Sequence, residues 1–417
     1  MSRQELTIGL FGFGCVGTGL YEVLAQTPTL KTTLKTVCIK HPHKPRKAPD
    51  HLFTTDPGAI LNDPDINVVV ELIDDADAAY ALVKAALLSG KAVVTANKKM
   101  LAEHLEEFLA IQASTGVPLL YEAACCASIP IIRNLEEYYD NDLLDSIQGI
   151  VNGSTNYILT RALEEHLSMP EALAQAQAMG YAESNPILDT GGFDAKYKLV
   201  ILLAHAFGLV VQPEEVFHCG IDQIGELEWD YARAHNLKIK LVAHAYKTPN
   251  GSISTFVLPT FVRPDNKLFG VDDVFNGVVT QTCFADTQFF MGKGAGAYPT
   301  ASAVLSDLSA LTYHYRYEHK KYNAAERLTP AADIHLKVFL RHDLAHSTEF
   351  KRHFESIEAC FTNRDAGYLI GTITLEALQW LIGQPVASLS PIVLEVLHPA
   401  VIEAAQPQRA ADAAVPV

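Results

Sequence analysis

The chain has 417 residues, of which 49% are apolar types and 19% are charged. That is the composition of a folded protein of two or three domains and excludes a disordered chain. With 32 Lys and Arg against 48 Asp and Glu, the formal net charge of −16 argues against nucleic acid or an anionic membrane surface as partner.

Leu6 to Phe11 reads as a strand and 19–26 as a helix stopped near Pro28. Further strands are predicted over 34–39, 67–73 and 92–95, with a helix over 76–89 between the last two, capped by Gly90. A helix over 101–114 and a strand over 117–121 complete the series, which ends near Ile132. Short apolar strands alternating with helices predict a parallel sheet covered on both faces. Helices then dominate 156–207, and strand-like pieces follow over 241–246, 254–258 and 278–282. A glycine-rich loop, 292–300, leads into a helix over 301–311, so this part reads as α+β. A third block holds strand candidates over 334–340 and 367–374, and an Ala/Pro-rich end is predicted to be disordered. The expected domains are 1–135, 136–325 and 330–405, with a tail of 406–417.

The seven cysteines form no C-x-x-C pair, as expected of a reduced, cytoplasmic protein. No apolar run reaches the roughly 18 residues of a membrane helix. Met1 to Glu5 leads straight into a strand-like run, unlike a signal peptide.

Gly12-Phe13-Gly14-Cys15-Val16-Gly17-Thr18-Gly19 reads G-x-G-x-x-G-x-G between the first strand and the first helix. The first glycine allows the tight turn, the second close approach of a pyrophosphate, and the third close packing of helix on strand. The helix N-terminus then offers free N–H groups and positive dipole to the phosphates. In this context the run predicts a dinucleotide site. The end of the second strand selects the nucleotide, because an acid there binds the ribose hydroxyls of NAD. From Val23 to Pro49 there is no Asp or Glu, and Lys40, Lys44, Arg46 and Lys47 follow the strand. That favours a 2′-phosphate, hence NADP over NAD.

Thr95-Ala96-Asn97-Lys98 ends the fourth strand, where such folds bind ligands. The run from Gly180 to Lys198 holds Glu183, Asp189 and Asp194 and enters a helix, with Asp194 and Lys198 four apart on one face. On composition and spacing alone, Lys98 reads better as a surface lysine, and Asp194 and Lys198 as a helix cap and ion pair.

Taken in order, these motifs resemble the homoserine dehydrogenase family over about residues 6–320. The set also includes Val68 to Leu72, Glu122-Ala123 to Ile132, Gly149 to Leu159, Gly292 to Gly296 and Pro299 to Ala301. The resemblance implies a Rossmann-type doubly wound α/β sheet, an α+β catalytic and dimerisation domain, and a short, divergent C-terminal α+β block. It implies reversible hydride transfer between L-homoserine and L-aspartate 4-semialdehyde, serving threonine and methionine synthesis, in a protein that is at least a homodimer. The family's catalytic lysine falls on Lys198 and its second lysine on Lys98. Substrate-holding positions fall on Glu183, Asp194, Asp189 and Gly180. Cofactor positions fall on Gly12 to Gly17, Lys40, Thr95, Lys98 and Gly294. Homoserine carries an ammonium, a carboxylate and a hydroxyl, so acids and lysines suit it. A lysine beside the hydroxyl can take its proton once desolvation or a neighbouring positive charge favours the neutral amine.

Family members also bind a monovalent cation such as sodium, at positions that fall on Glu122, Cys125, Ala127 and Ile129. The usual glycine-rich turn is here Cys125-Cys126-Ala127-Ser128, and the departure puts glycine-only backbone angles at issue. Cys125 and Cys126 read as structural, and no role falls on any of the 16 histidines. The C-terminal block lacks the Asp-x-Pro-Gly turn of amino-acid-sensing ACT domains and is ACT-like at most. Two other readings stay open on the residues alone: a non-catalytic redox sensor that binds dinucleotide, and a dehydrogenase for another small amino or hydroxy acid.

Overall fold

The computed structural model describes residues 4–141, 143–248, 250–324, 328–331, 334–384 and 389–397. The tail predicted over 406–417 lies outside them. The chain divides into two compact units. Met1–Asp142, Tyr197–Pro213 and Phe290–Ala325 form the first, and Leu143–Lys196, Glu214–Phe289 and Glu326–Val417 the second.

The first unit holds β1 (Leu6–Phe11), β2 (Thr32–Cys38), β3 (Phe53–Thr54), β4 (Val68–Glu71), β5 (Ala92–Thr95) and β6 (Leu119–Leu120). They form one parallel sheet in the order β3-β2-β1-β4-β5-β6. The winding reverses between β1 and β4, the switch point where such sheets take ligands. β4 is buried at every position, which is why it shows no polar alternation. The helix Ala76–Leu88 starts at Asp75, whose side chain accepts the Ala78 N–H, and the helix Lys98–Thr115 starts at Asn97, which does the same for Met100.

The helix after β1 runs over Cys15–Ala25 and so begins earlier than its glycines predict. Packing outweighs their low helix propensity. A Cβ on Gly17 would lie 2.4 Å from the Gly12 carbonyl oxygen, and one on Gly19 would lie 2.8 Å from that of Ala297. Gly19 thus lets this helix meet the helix Ala297–Leu311.

The second unit holds β7 (Leu144–Ile150), β8 (Phe217–His218), β9 (Lys238–Lys247), β10 (Ile253–Val262), β11 (Phe275–Thr282), the first half of β12 (Asp286–Lys293), β13 (Pro330–Ala331), β14 (His335–His342), β15 (Ser356–Thr362), β16 (Gly367–Thr374) and β17 (Ser390–Leu397). The mixed sheet runs β12-β11-β7-β9-β10-β17-β14-β16-β15. The helices Ser347–Lys351 and Leu375–Ile382 connect β14 to β15 and β16 to β17. The C-terminal block is therefore a split β-α-β-β-α-β unit in the order β17-β14-β16-β15.

The missing Pro-Gly turn after β14 is replaced by Asp343, whose carboxylate accepts the His346 backbone N–H at 3.0 Å and lies 2.7 Å from the imidazole Nδ1. Leu336, Val338, Phe350, Ile373 and Leu378 share one core with Phe256 and Leu258 of β10. Arg341 on β14 donates at 2.7 Å to Glu228, whose side chain is fully buried. This block is built into the second unit's core.

Candidate active site

The glycine run forms the cradle the sequence implies. Gly12 has φ +93°, and a Cβ there would lie 2.4 Å from the Leu72 carbonyl oxygen. Gly14 caps the helix, and a Cβ on it would meet nothing within 4 Å. Backbone N–H groups at a helix start with open space in front can take a phosphate. Phe13 is turned to the protein, edge-on to Phe53 at 5.1 Å between ring centroids. Cys15 is exposed. The tight turn at Gly12 and the open space at Gly14 suit a pyrophosphate.

The ends of β4 and β5 open on a pocket of about 250 Å³. Val16, Ile73, Lys98, Lys198, Gly294 and Thr300 are among its lining residues. Two lysines 100 positions apart, the fingerprint and the glycine-rich loop thus converge, all within the first unit. Lys98 opens the helix Lys98–Thr115, and Lys198 is 7% exposed on the helix Phe193–Phe207.

Thr95 is buried and faces inward. Its hydroxyl donates at 2.5 Å to Glu71, and the same carboxylate accepts the Ile73 N–H at 2.6 Å. The Asn97 N–H in turn donates to the Thr95 hydroxyl at 3.0 Å, and the Asn97 amide to the Ile73 carbonyl at 3.1 Å. Glu71 therefore ties together the two strand-end loops that line the pocket. Burial pushes its carboxyl up to about 7, against the two hydrogen bonds that favour the charged form.

The predicted substrate acids lie in the second unit. Asp194 is buried in the first turn of the helix Phe193–Phe207, and Asp189 is half-buried. The Asn152 amide donates to both carboxylates at 2.7 Å. Its carbonyl oxygen caps the helix Gly153–Glu164 through the Thr155 N–H, at 2.7 Å, so the orientation of the amide is fixed. Asn152 had no assigned role in the sequence; its signal was the N-cap position before a helix. Glu183 is exposed, and Gly180 has φ +74°.

In the turn that carries the predicted cation positions Cys125 and Ala127, Cys126 and Ala127 adopt φ of 55° and 35°. The left-handed turn is made without glycine, at a cost in local strain. Both oxygens of Glu122 accept backbone N–H groups, from Ile132 at 2.9 Å and Arg133 at 2.8 Å. Asp307 accepts the Glu122 N–H at 2.9 Å and pairs with Arg133 at 2.7 Å. Burial, with the Asp307 charge, pushes the Glu122 carboxyl up to about 7, and burial pushes that of Asp307 up to about 6. Glu122 thus meets Arg133 through its backbone N–H and Asp307 meets it through the guanidinium. Cys125 and Cys126 are buried, and the Cys125 thiol lies 3.7 Å from the Lys198 carbonyl oxygen.

Beyond β2, a cavity of about 670 Å³ is lined by Pro42, His43, Lys44, Arg46 and Phe53, among others. The Arg46 guanidinium donates to the His41 and Lys44 carbonyls, both at 2.7 Å, and lies over the Phe53 ring. It shapes the loop, while Lys40, Lys44 and Lys47 are exposed.

A sheet in the order 3-2-1-4-5-6, a glycine cradle at its switch point and two lysines at the strand ends define a nicotinamide-dinucleotide-dependent oxidoreductase. Sequence comparison narrows the class. Residues 12–122 match the family model for the homoserine dehydrogenase NAD-binding domain, and residues 130–309 match that for homoserine dehydrogenase itself. A homoserine dehydrogenase of Synechocystis is 39% identical, covering 73% of each chain, and one of Bacillus subtilis is 32% identical over 88% of this chain and 87% of its own. Among solved structures, a homoserine dehydrogenase from Thiobacillus denitrificans superposes with a TM-score of 0.82 at 29% identity, covering 95% of this chain and 99% of its own. A hyperthermophilic archaeal homoserine dehydrogenase in complex with NADPH gives 0.64 at 26% identity, over 75% and 99%. The chain belongs to the homoserine dehydrogenase family. Its reaction is the NAD(P)-dependent interconversion of L-homoserine and L-aspartate 4-semialdehyde, a step of amino-acid biosynthesis. Among the described residues, no helix is long and apolar enough to cross a membrane.

Glu71 yields a pH prediction. Its folded pKa lies above the unfolded value of about 4.3. As pH rises from about 4.5 to 7, the unfolded chain loses this proton while the folded chain keeps it. The wild type therefore loses stability relative to Glu71→Gln by an amount on the order of 3 kcal/mol, and the difference is constant above about pH 7. Urea unfolding of both proteins at pH 5 and pH 8 checks this; an offset that is the same at both pH values contradicts it.

Proposed function

We propose that Lys198 is the acid/base of the reaction and that Lys98 orients the substrate and helps the proton leave. The convergence of Lys98 and Lys198 on one pocket with Val16 and Gly294 carries this reading. The bound nicotinamide supplies or accepts the hydride; the protein supplies position and proton transfer. In the oxidative direction the Lys198 amine takes the C4 hydroxyl proton, and in the reductive direction its ammonium polarises the aldehyde and returns that proton. Glu183 and Asp194 bind the substrate ammonium, with backbone near Gly180, and Asp189 completes the acid set. Asn152 holds two of these acids in place, because a single amide spans Asp189 and Asp194.

Gly12 to Gly17 would hold the pyrophosphate, with Thr95 and Gly294 toward the nicotinamide end. The Thr95 hydroxyl is committed to Glu71, so Thr95 acts through its backbone. Removing the proton acceptor costs the rate and spares dinucleotide binding. Lys198→Ala lowers kcat for homoserine oxidation by about 10²–10⁴-fold and leaves the Kd for NADP within about twofold, by steady-state kinetics and fluorescence titration. An unchanged kcat refutes the assignment.

We further propose NADP as the preferred cofactor, held at its 2′-phosphate by Lys40 and Lys44. Because Arg46 is spent on loop carbonyls, the exposed lysines are the cations presented to solvent. Lys40→Ala combined with Lys44→Ala raises KM for NADP about tenfold, roughly 1.4 kcal/mol, and moves KM for NAD by less than about twofold. Equal effects on both cofactors contradict the preference.

A monovalent cation is proposed at Glu122 and the carbonyls of Cys125, Ala127 and Ile129. Thermal melts at equal ionic strength give a higher Tm in NaCl or KCl than in choline chloride, since binding to the folded state alone stabilises it. Identical melts contradict the site.

A further inference from the structure

The first unit contains a second group of ligating side chains, away from the pocket of Lys98 and Lys198. Glu136, His205 and His319 come from three separate segments, and one ligand atom of each lies within 4.8 Å of the others. The Glu136 carboxylate lies 2.8 Å from His205 Nδ1. His205 Nε2 lies 2.9 Å from the Tyr121 hydroxyl, which fixes the ring. The other Glu136 oxygen accepts the His319 backbone N–H at 2.6 Å, which holds that residue at the left-handed φ of 48°.

His319 is the telling member. Its side chain is buried, with the residue 7% exposed, and neither ring nitrogen has a hydrogen-bond partner. A buried polar group without a partner is costly, and native structures leave few of them. Here the orphaned imidazole is aimed at a carboxylate and a second imidazole. Burial keeps it neutral, with its pKa down at about 3 and its lone pair available.

From this geometry we infer that Glu136, His205 and His319 bind a divalent transition-metal ion of the zinc, cobalt or nickel class. Two imidazole nitrogens and one carboxylate oxygen are the donor set such ions take. Bonds of about 2.0–2.1 Å at tetrahedral angles place ligand atoms about 3.3 Å apart. The three side chains reach that spacing by closing around the ion. Ligation through His205 Nδ1 moves the single imidazole proton from Nδ1 to Nε2 and leaves Glu136 as a carboxylate ligand, with no net proton released. The Tyr121 hydroxyl then accepts from His205 Nε2–H as an outer-shell partner.

A cavity of about 370 Å³, lined in part by His319, Tyr317 and Tyr322, adjoins one member of the cluster. The ammonium of Lys321 is the opposing charge nearby. It is turned to the carbonyls of Leu135, His205 and Ala206. His205 stands seven residues after Lys198 on the same helix, so the ion would pin that helix at its far end.

The test uses the full chain, without an affinity tag, stripped with a chelator and titrated separately with Zn²⁺ and Co²⁺. The expected result is one equivalent bound, a visible Co²⁺ absorption band, and a Tm raised by a few degrees. His319→Ala loses the equivalent and the band. Glu136→Gln, which keeps the side-chain shape, does the same with a native far-ultraviolet dichroism spectrum. Failure of the wild-type chain to bind one equivalent overturns the inference, as does undiminished binding by both variants.

Discussion

Three buried carboxylates and the half-buried Glu136 hold together the walls of the first unit. Glu71 takes the Ile73 N–H and the Thr95 hydroxyl, and Glu122 takes the N–H groups of Ile132 and Arg133. Asp307 takes the Glu122 N–H and the Arg133 guanidinium, while Glu136 takes the His319 N–H and lies against His205. A buried carboxylate is costly unless its lone pairs are used. Each of these pays that cost by joining segments 24 to 185 residues apart, or, for Glu71–Ile73 and Glu122–Arg133, by fixing a turn within its own loop. The loops that line the pocket keep their shape because these acids would otherwise be stranded.

The uses differ. Glu71 and Thr95 set the ends of the strands that present Lys98. Glu122 and Asp307 fix the segment at Ile132 and Arg133 that follows the left-handed turn at Cys126 and Ala127, a conformation that non-glycine residues keep only where their surroundings enforce it. In the second unit Asn152 plays the corresponding part for Asp189 and Asp194, with a neutral amide in place of an acid. One side chain there both caps a helix and spaces two negative charges.

Much of this was legible in the sequence because it is local. The glycine run, the buried valines of β4 and the glycine that ends the helix Ala76–Leu88 each declare themselves within a few residues. So did the pocket lysines, through the order of the motifs around them. What stayed hidden is made at long range. The pairing of Glu136 with His205 and His319 spans three segments, and none of the histidines carries a local ligand spacing. β15 was missed because its residues are almost all exposed and offer no alternation. The split β-α-β-β-α-β unit was obscured because Asp343 and His346 build the turn that a Pro-Gly pair was expected to make. The helix at Cys15 began early because the close approach to Ala297 rewards the glycines that propensity counts against it.

The account rests on Lys198 meeting the reacting hydroxyl. A crystal structure of the ternary complex with NADP and L-homoserine tests it most directly. The account predicts the Lys198 amine within hydrogen-bond distance, about 3 Å, of the substrate C4 hydroxyl, and the C4 carbon about 3–3.5 Å from the nicotinamide ring. A hydroxyl bound instead by another side chain, with the Lys198 amine turned away, would contradict it.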